Sequence, residues 1–258
     1  MSHALHAEWT KLRTVAATGW VLGGVVVLTV ALSVLIGLAE TYSPSGSGQD
    51  ITKLSLTGIY LGQVMVAILA VMSISGEYGT GMICVTLTAI PRRVGMLAAK
   101  AATVTGLVVV AAALGVLGSV LAGRMILPGH GFTPAHGYAL LSLTHGLTLR
   151  AAAGSVLYLA LIALLSLGVA TAVRDPAVAI GIVLGVLYVF PILAALVSDP
   201  SLRRHLQQIA PMTAGLAIQD TTNLRHLTIG PWAGLGVLAA WAASALLAGG
   251  LRLRLRDA

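Results

Sequence analysis

Apolar residues are arranged along the chain in six long runs, separated by shorter polar segments. A helix that crosses a bilayer needs about 20 consecutive apolar residues, and each run reaches that length. The runs cover residues 17–39, 54–75, 101–123, 151–173, 177–198 and 231–251. The pattern therefore predicts an all-α, polytopic membrane protein in which residues 1–258 form one six-helix transmembrane domain.

The composition excludes a soluble globular protein. Hydrophobic residues make up 57% of the chain and charged residues 9%, whereas soluble domains have about 25% charged residues. The mean hydropathy is +0.95, so such a chain could not cover its own surface with polar groups. The single cysteine also excludes an intramolecular disulfide.

The basic residues predict the orientation of the spans. If the N-terminus is inside, nine Lys and Arg residues lie on the inner side and six on the outer side. Cytoplasmic flanks collect Lys and Arg, above all in short loops near helix ends. We therefore expect a cell-membrane protein with both termini cytoplasmic, an inner loop at 76–100 and an inner tail at 252–258. The first run is longer than a cleavable signal and is predicted to be retained.

The six apolar cores contain no Asp, Glu, Lys, Arg or His. Carriers coupled to protons or ions place such groups at membrane depth, and the chain also lacks HExxH and GxxxxGK[ST] motifs. The energy for any transport must then come from elsewhere, most simply from a partner chain. The spacing of the outer-loop histidines His130, His136 and His145 fits no compact ligand set, so no metal site is predicted.

Four polar side chains stand out within the apolar cores. One interpretation is that they line a weakly polar path through the membrane. The other, which we favour, is that they form hydrogen bonds between helices and tighten the bundle. These residues are Tyr60, Gln63, Tyr158 and Tyr188.

Two segments have the spacing of an amphipathic helix. Near the N-terminus Leu5, Trp9 and Leu12 share one face, with Lys11 and Arg13 outside it, which predicts an interfacial helix within the cytoplasmic residues 1–16. The second segment, 201–211, is amphipathic on the predicted outer side, and Ser201 can cap its start. It fits an interfacial helix, a re-entrant helix or a plain loop helix.

The segment 74–93, ISGEYGTGMICVTLTAIPRR, joins the second and third runs on the predicted cytoplasmic side. Its glycines permit a sharp bend where the chain leaves the membrane. Pro91 disfavours a helix at the preceding residue, and Arg92 and Arg93 indicate the return to the head groups. We expect a short helix parallel to the membrane and exposed to the cytoplasm.

The chain resembles ABC transporter permeases of the ABC-2 exporter type, and it is most similar to small six-span actinobacterial members. The resemblance lies in AEWTKLRT before the first run, in ISGEYGTGMICVTLTAIPRR and in the terminal LRLRLRDA. It implies a separate cytoplasmic ATP-binding subunit that binds ATP and Mg, so this chain itself needs no cofactor. It also implies a second permease copy, identical or different.

The resemblance implies that the segment after the second run supplies a coupling helix that docks on the ATP-binding subunit. The N-terminal helix would brace it. Glu77 is the one acidic residue of the segment. It could pair with a basic residue of the partner or with Arg92 or Arg93, and the alternative is a solvated loop charge. The coupling residues implied are Glu77, Tyr78, Gly79, Thr80, Gly81, Met82, Ile83, Pro91, Arg92 and Arg93.

The function expected from this resemblance is ATP-driven export of a hydrophobic or amphipathic compound, such as a drug, an antibiotic or a lipid-like molecule. The chain would not be an enzyme itself. A membrane-bound lipid-modifying enzyme is disfavoured because it needs clustered acids, and the inner acids Glu8, Glu77, Asp175 and Asp257 are scattered. A non-transporting subunit that anchors or senses a partner remains an alternative, and no nucleic acid is expected as a partner.

Overall fold

The computed structural model describes residues 16–42, 49–79, 93–138, 141–224 and 227–255. The described part is helical and without strands, and six of its helices are long and apolar enough to cross a membrane. These are α1 (Ala16–Ala39), α3 (Ile59–Gly79), α4 (Arg93–Ile126), α5 (Gly146–Val173), α6 (Pro176–Leu196) and α9 (Pro231–Leu255). The all-α, six-span prediction is confirmed.

Shorter helices lie between the spans at the end opposite the 80–92 connection. They are α2 (Ile51–Ser55), α7 (Pro200–Ile209) and α8 (Pro211–Leu216), with 3₁₀ turns at Leu127–His130, Pro134–His136 and Ala217–Gln219. The second span begins at Ile59 and not at 54, because residues 51–58 form α2 and a turn of their own.

The helices on either side of the 76–100 loop are longer than the apolar runs. Residues 76–79 continue α3 and residues 93–100 belong to α4, because a helix can extend beyond its apolar core with its backbone hydrogen bonds intact. The rest of that loop, 80–92, lies outside the described residues. The N-terminal amphipathic segment, with Leu5, Trp9, Lys11, Leu12 and Arg13, also lies outside them.

Helix α5 occupies the centre of the bundle. It packs against α9, α3, α4 and α6, and its span has the largest buried share of the six, 61%. Its buried residues include Leu159 and Ile162. By contrast, α1 and α6 are each only 22% buried along their spans, which is consistent with helices whose outer faces contact lipid.

Asp-Pro pairs begin two helices. Pro176 and Pro200 are the first residues of α6 and α7, where proline has no hydrogen bond to lose. The preceding aspartates, Asp175 and Asp199, cap the free N–H groups. The expectation that Ser201 caps the second amphipathic helix is therefore wrong, because the cap is Asp199 and Ser201 donates to it.

The chain between α6 and α9 first runs along the surface and then enters the bundle. Helix α7 has no buried residue, whereas α8 and the following 3₁₀ turn are buried, with Met212, Leu216 and Ile218 in the main core. This buried part, residues 211–219, is called the inserted segment below. It brings a short piece of non-spanning chain against the centre of the bundle.

Candidate functional site

A series of hydrogen bonds made by polar side chains crosses the core of the helix bundle. The Tyr158 hydroxyl donates to Oε1 of Gln63, Nε2 of Gln63 donates to the Tyr188 hydroxyl at 2.9 Å, and that hydroxyl donates to the Tyr60 carbonyl at 2.9 Å. Gln63 and Tyr158 are fully buried. The four polar residues named from the sequence thus meet in one place, called the core network below.

The core network links four elements. Tyr60 and Gln63 lie one turn apart on α3, Tyr158 is on α5 and Tyr188 is on α6. Nε2 of Gln63 also lies 3.5 Å from the sulfur of Met212 in the inserted segment. Since both ends of the Gln63 amide have partners, a polar side chain is accommodated in the apolar interior.

A cavity of about 280 Å³ lies beside the core network, between α3, α6 and the inserted segment. Tyr60 and Met212 line it, together with apolar residues and the ion pair Lys53–Asp220, whose N–O distance is 2.7 Å. Its walls thus offer apolar surface and hydrogen-bonding groups. That Tyr60, Gln63, Tyr158 and Tyr188 line a transport path stays a prediction.

One polar contact, which the sequence does not indicate, joins distant parts of the chain. Asp50 caps α2 through the N–H groups of Thr52 and Lys53, and its carboxylate also accepts from the backbone N–H groups of Thr221 and Thr222. An aspartate before a short helix suggests a cap. Nothing in the sequence indicates that residues about 170 positions later would share it.

Lys100 is a second residue that the sequence did not single out. It was expected in the inner loop, but it lies within α4 and is only 2% exposed. Its ammonium donates to the Ser73 carbonyl of α3 at 3.0 Å. The contact joins the two helices close to the ends from which the 80–92 connection leaves the bundle.

The structure describes only part of the segment expected to couple the chain to a partner. Glu77, Tyr78 and Gly79 form the last turn of α3, and Arg93 begins α4. Thr80, Gly81, Met82, Ile83, Pro91 and Arg92 lie outside the described residues. The end of α3 at Gly79 and the start of α4 at Arg93 lie at the same end of the bundle.

Among the described residues, no three His, Cys, Asp or Glu side chains are grouped so that they could hold a metal ion. His136 is engaged otherwise: its ring stacks on Tyr42 with centroids 4.2 Å apart, and its Nδ1 donates to the Gly131 carbonyl at 2.7 Å.

The sequence profile of a family described as ABC-2 family transporter protein matches residues 4–192. The match covers well over half of the chain and includes the first four spans and most of the fifth.

The chain belongs to the ABC-2 transporter family.

A comparison with curated proteins finds no match for it. Membership identifies the chain as a multi-pass membrane component of an ABC transporter, a permease subunit that is not itself the ATPase. Such permeases work with an ATP-binding partner subunit.

Proposed function

We propose that this ABC-2 permease exports a hydrophobic or amphipathic compound, driven by a separate cytoplasmic subunit that binds ATP and Mg. The family match carries the proposal. The core network is compatible with the proposal, because its hydroxyl, amide and carbonyl groups include no carboxylate, histidine or lysine of the kind that relays protons. A second permease copy, identical or different, would complete the transporter.

The coupling route that we propose starts at the segment between α3 and α4. ATP binding would bring the ATP-binding subunits together and move this segment. The spans would then shift between inward-open and outward-open populations, driven by the difference in nucleotide affinity of the two states. Lys100, which ties α4 to the Ser73 carbonyl of α3, lies where such a movement would enter the bundle.

The orientation is part of the same proposal. We place both termini and the 80–92 connection in the cytoplasm, because the basic residues favour that side. Docking on a cytoplasmic ATP-binding subunit requires this orientation.

The decisive experiment is to co-purify the permease with its ATP-binding subunit and to reconstitute the complex in proteoliposomes. We expect vanadate-sensitive ATP hydrolysis together with vectorial movement of a fluorescent amphipathic compound. A stable complex that hydrolyses no ATP in response to any compound and moves none would support the non-transporting alternative. Failure to capture an ATP-binding subunit at all would contradict the proposal.

Glu77→Ala tests the coupling assignment. If the Glu77 carboxylate contacts the ATP-binding subunit, its loss should reduce both transport and compound-stimulated hydrolysis about tenfold, as for a lost charged contact of 1–2 kcal/mol. Glu40→Ala is the matched control, since it removes the same charge just beyond the opposite end of the bundle. Unchanged transport and hydrolysis in Glu77→Ala would identify Glu77 as a solvated loop charge.

A further inference from the structure

A second cavity, of about 460 Å³, lies at the end of the bundle opposite the 80–92 connection. It is enclosed by the first turn of α5, the 3₁₀ turn at Pro134–His136, the start of α2 and residues Thr221 and Thr222. It is separate from the cavity beside the core network, and the proposed transport mechanism makes no use of it. It is called the α5 cavity below.

The first turn of α5 offers free hydrogen-bond donors to this cavity. The N-cap residue His145 makes no side-chain capping bond, and the first hydrogen bond of the helix runs from Leu149 N–H to the His145 carbonyl. In the described part of the chain, the N–H groups of Gly146, Leu147 and Thr148 therefore have no acceptor. All three residues line the α5 cavity.

Thr148 adds a side-chain donor to these N–H groups. The residue is 7% exposed and lines the α5 cavity, and none of the hydrogen bonds within the described residues involves its hydroxyl. That hydroxyl is therefore a donor that remains available to a molecule in the cavity.

The electrostatics of the α5 cavity favour an anion. The N-terminus of a long helix has a partial positive charge and free N–H groups, which together bind phosphate and carboxylate groups. His136 and His145 also line the cavity. The nearby carboxylate of Asp50 has its own set of donors, including the N–H groups of Thr221 and Thr222.

The apolar wall indicates what the anion is attached to. Leu141 and Leu147 line the cavity. Leu147 is 45% exposed, and Leu149 on the same helix is 54% exposed. In a membrane-spanning bundle, such exposed leucines at a helix end face lipid. An apolar tail that leaves the cavity past Leu147 would continue into the bilayer.

We propose that the α5 cavity binds the phosphate head group of a membrane amphiphile, held by the first-turn N–H groups of α5 and the Thr148 hydroxyl. The inference does not depend on export or on the ATP-binding subunit, so it can be tested on the permease alone.

The test measures thermal unfolding of the purified, delipidated full-length chain in a neutral detergent. Lysophosphatidic acid should raise Tm, whereas a monoacylglycerol with the same acyl chain, which lacks the phosphate, should not. Inorganic phosphate separates the two sources of the head group, and we expect it to shift Tm only at much higher concentration. If inorganic phosphate is as effective as the amphiphile, the site binds a free anion and the lipid assignment is wrong.

His145→Asp is the sharpest variant. An aspartate at the N-cap would accept from the same first-turn N–H groups and repel a phosphate. We expect it to raise Tm without ligand and to weaken lysophosphatidic acid binding at least about tenfold. The control is His130→Asp, which makes the same change on the neighbouring 3₁₀ turn, at a residue outside the cavity lining, and should bind as the unmodified chain does.

Thr148→Val is the second variant, since it keeps the shape of the buried side chain and removes only the hydroxyl. It should weaken binding about fivefold, as expected for one lost hydrogen bond, with little change in Tm without ligand. Unchanged lysophosphatidic acid binding in both Thr148→Val and His145→Asp would overturn the proposal. An equal Tm shift with the monoacylglycerol would do so as well.

Discussion

Gln63 is the residue on which the core network depends. It lies fully buried in α3, where an unpaired amide would cost about 1–3 kcal/mol. The structure gives its oxygen the Tyr158 hydroxyl and its nitrogen the Tyr188 hydroxyl. The same pairing links α3, α5 and α6, so a movement that separates these helices from one another would break it.

We predict that Tyr158→Phe destabilises the bundle by about 1 kcal/mol, because Oε1 of Gln63 loses its donor while the ring still fills its space. In the Tyr158→Phe background, Gln63→Leu should lower the free energy of unfolding by less than it does in the unmodified chain, because both partners of that bond have then been replaced. Denaturant or thermal unfolding in detergent measures both effects as a double-mutant cycle.

The control for this cycle is Tyr42→Phe, which removes the same hydroxyl from a partly exposed aromatic cluster outside the spans. It should be nearly neutral. Strictly additive effects of Tyr158→Phe and Gln63→Leu would show that the two side chains do not interact in the membrane.

Asp199 is the N-cap of the exposed helix α7, and its contribution to the stability of that helix depends on pH. The Ser201 backbone N–H and hydroxyl donate to its carboxylate at 2.8 and 2.9 Å, and these bonds lower its pKa below the ordinary value. The folded-state pKa of Asp199 is lower than its unfolded-state pKa. The contribution of the cap to stability is therefore complete above the unfolded-state pKa, and it is lost as the pH falls through the folded-state pKa.

Acidification should therefore loosen the first turn of α7 while the spans stay folded. Hydrogen exchange of residues 200–209, corrected for the intrinsic rate, would show protection falling below about pH 4. Asp199→Asn keeps a capping oxygen that does not titrate, so its protection should vary less with pH. An identical pH profile in this variant would assign the effect to another group.

At the scale of elements, the inserted segment is held by backbone contacts that only glycine permits. A Cβ on Gly234 of α9 would lie 1.9 Å from the Ala214 carbonyl oxygen, and one on Gly215 would lie 2.7 Å from the Tyr158 ring. The first contact brings the backbones of α8 and α9 together. The second places the inserted segment directly against a member of the core network.

Gly234→Ala should destabilise the bundle by about 1–3 kcal/mol, because the new methyl group meets backbone that cannot rotate away. Gly236→Ala, two residues later on the same helix, meets nothing within 4 Å and should be neutral or slightly stabilising through its helix propensity. Comparing the Tm values of the two variants isolates the contact. Equal values would show that α8 shifts to accommodate the methyl group.

The sequence predicted the spans well because twenty-residue apolar runs are a physical requirement of the bilayer. It also named the three side chains of the core network, Gln63, Tyr158 and Tyr188, because polar residues are conspicuous within such runs. Tyr60 takes part through its backbone carbonyl, which any residue at that position would supply. It could not place Lys100 inside the bundle, since a lysine at the edge of a run looks like a loop residue. Nor could it predict the Asp50 contact with Thr221 and Thr222, which depends on where the inserted segment returns.

At the scale of the molecule, cations at both ends of the bundle donate to backbone carbonyls. At the end from which the 80–92 connection leaves, Lys100 donates to the Ser73 carbonyl and Arg252 to the Ala172 carbonyl. At the other end Arg150 donates to the Asp220 carbonyl, and Lys53 pairs with the carboxylate of that residue. The proposed orientation therefore depends on the count of Lys and Arg along the sequence, nine against six.

The single cysteine, Cys84, allows this orientation to be tested in the unmodified chain. It lies in the connection between α3 and α4, which we expect to be cytoplasmic. A membrane-impermeant maleimide should therefore leave intact cells unlabelled and label inverted vesicles.

The variant that combines Cys84→Ala with Gly129→Cys moves the cysteine to the opposite side, so its labelling pattern should be the reverse. Gly129 is exposed on the 3₁₀ turn beyond α4 with nothing within 4 Å, so its substitution disturbs no packing. Because α4 crosses the membrane between the two positions, labelling of both from the same side would contradict the six-span arrangement. Labelling of Cys84 in intact cells, with Gly129→Cys protected there, would invert the topology and exclude docking of a cytoplasmic ATP-binding subunit on this segment.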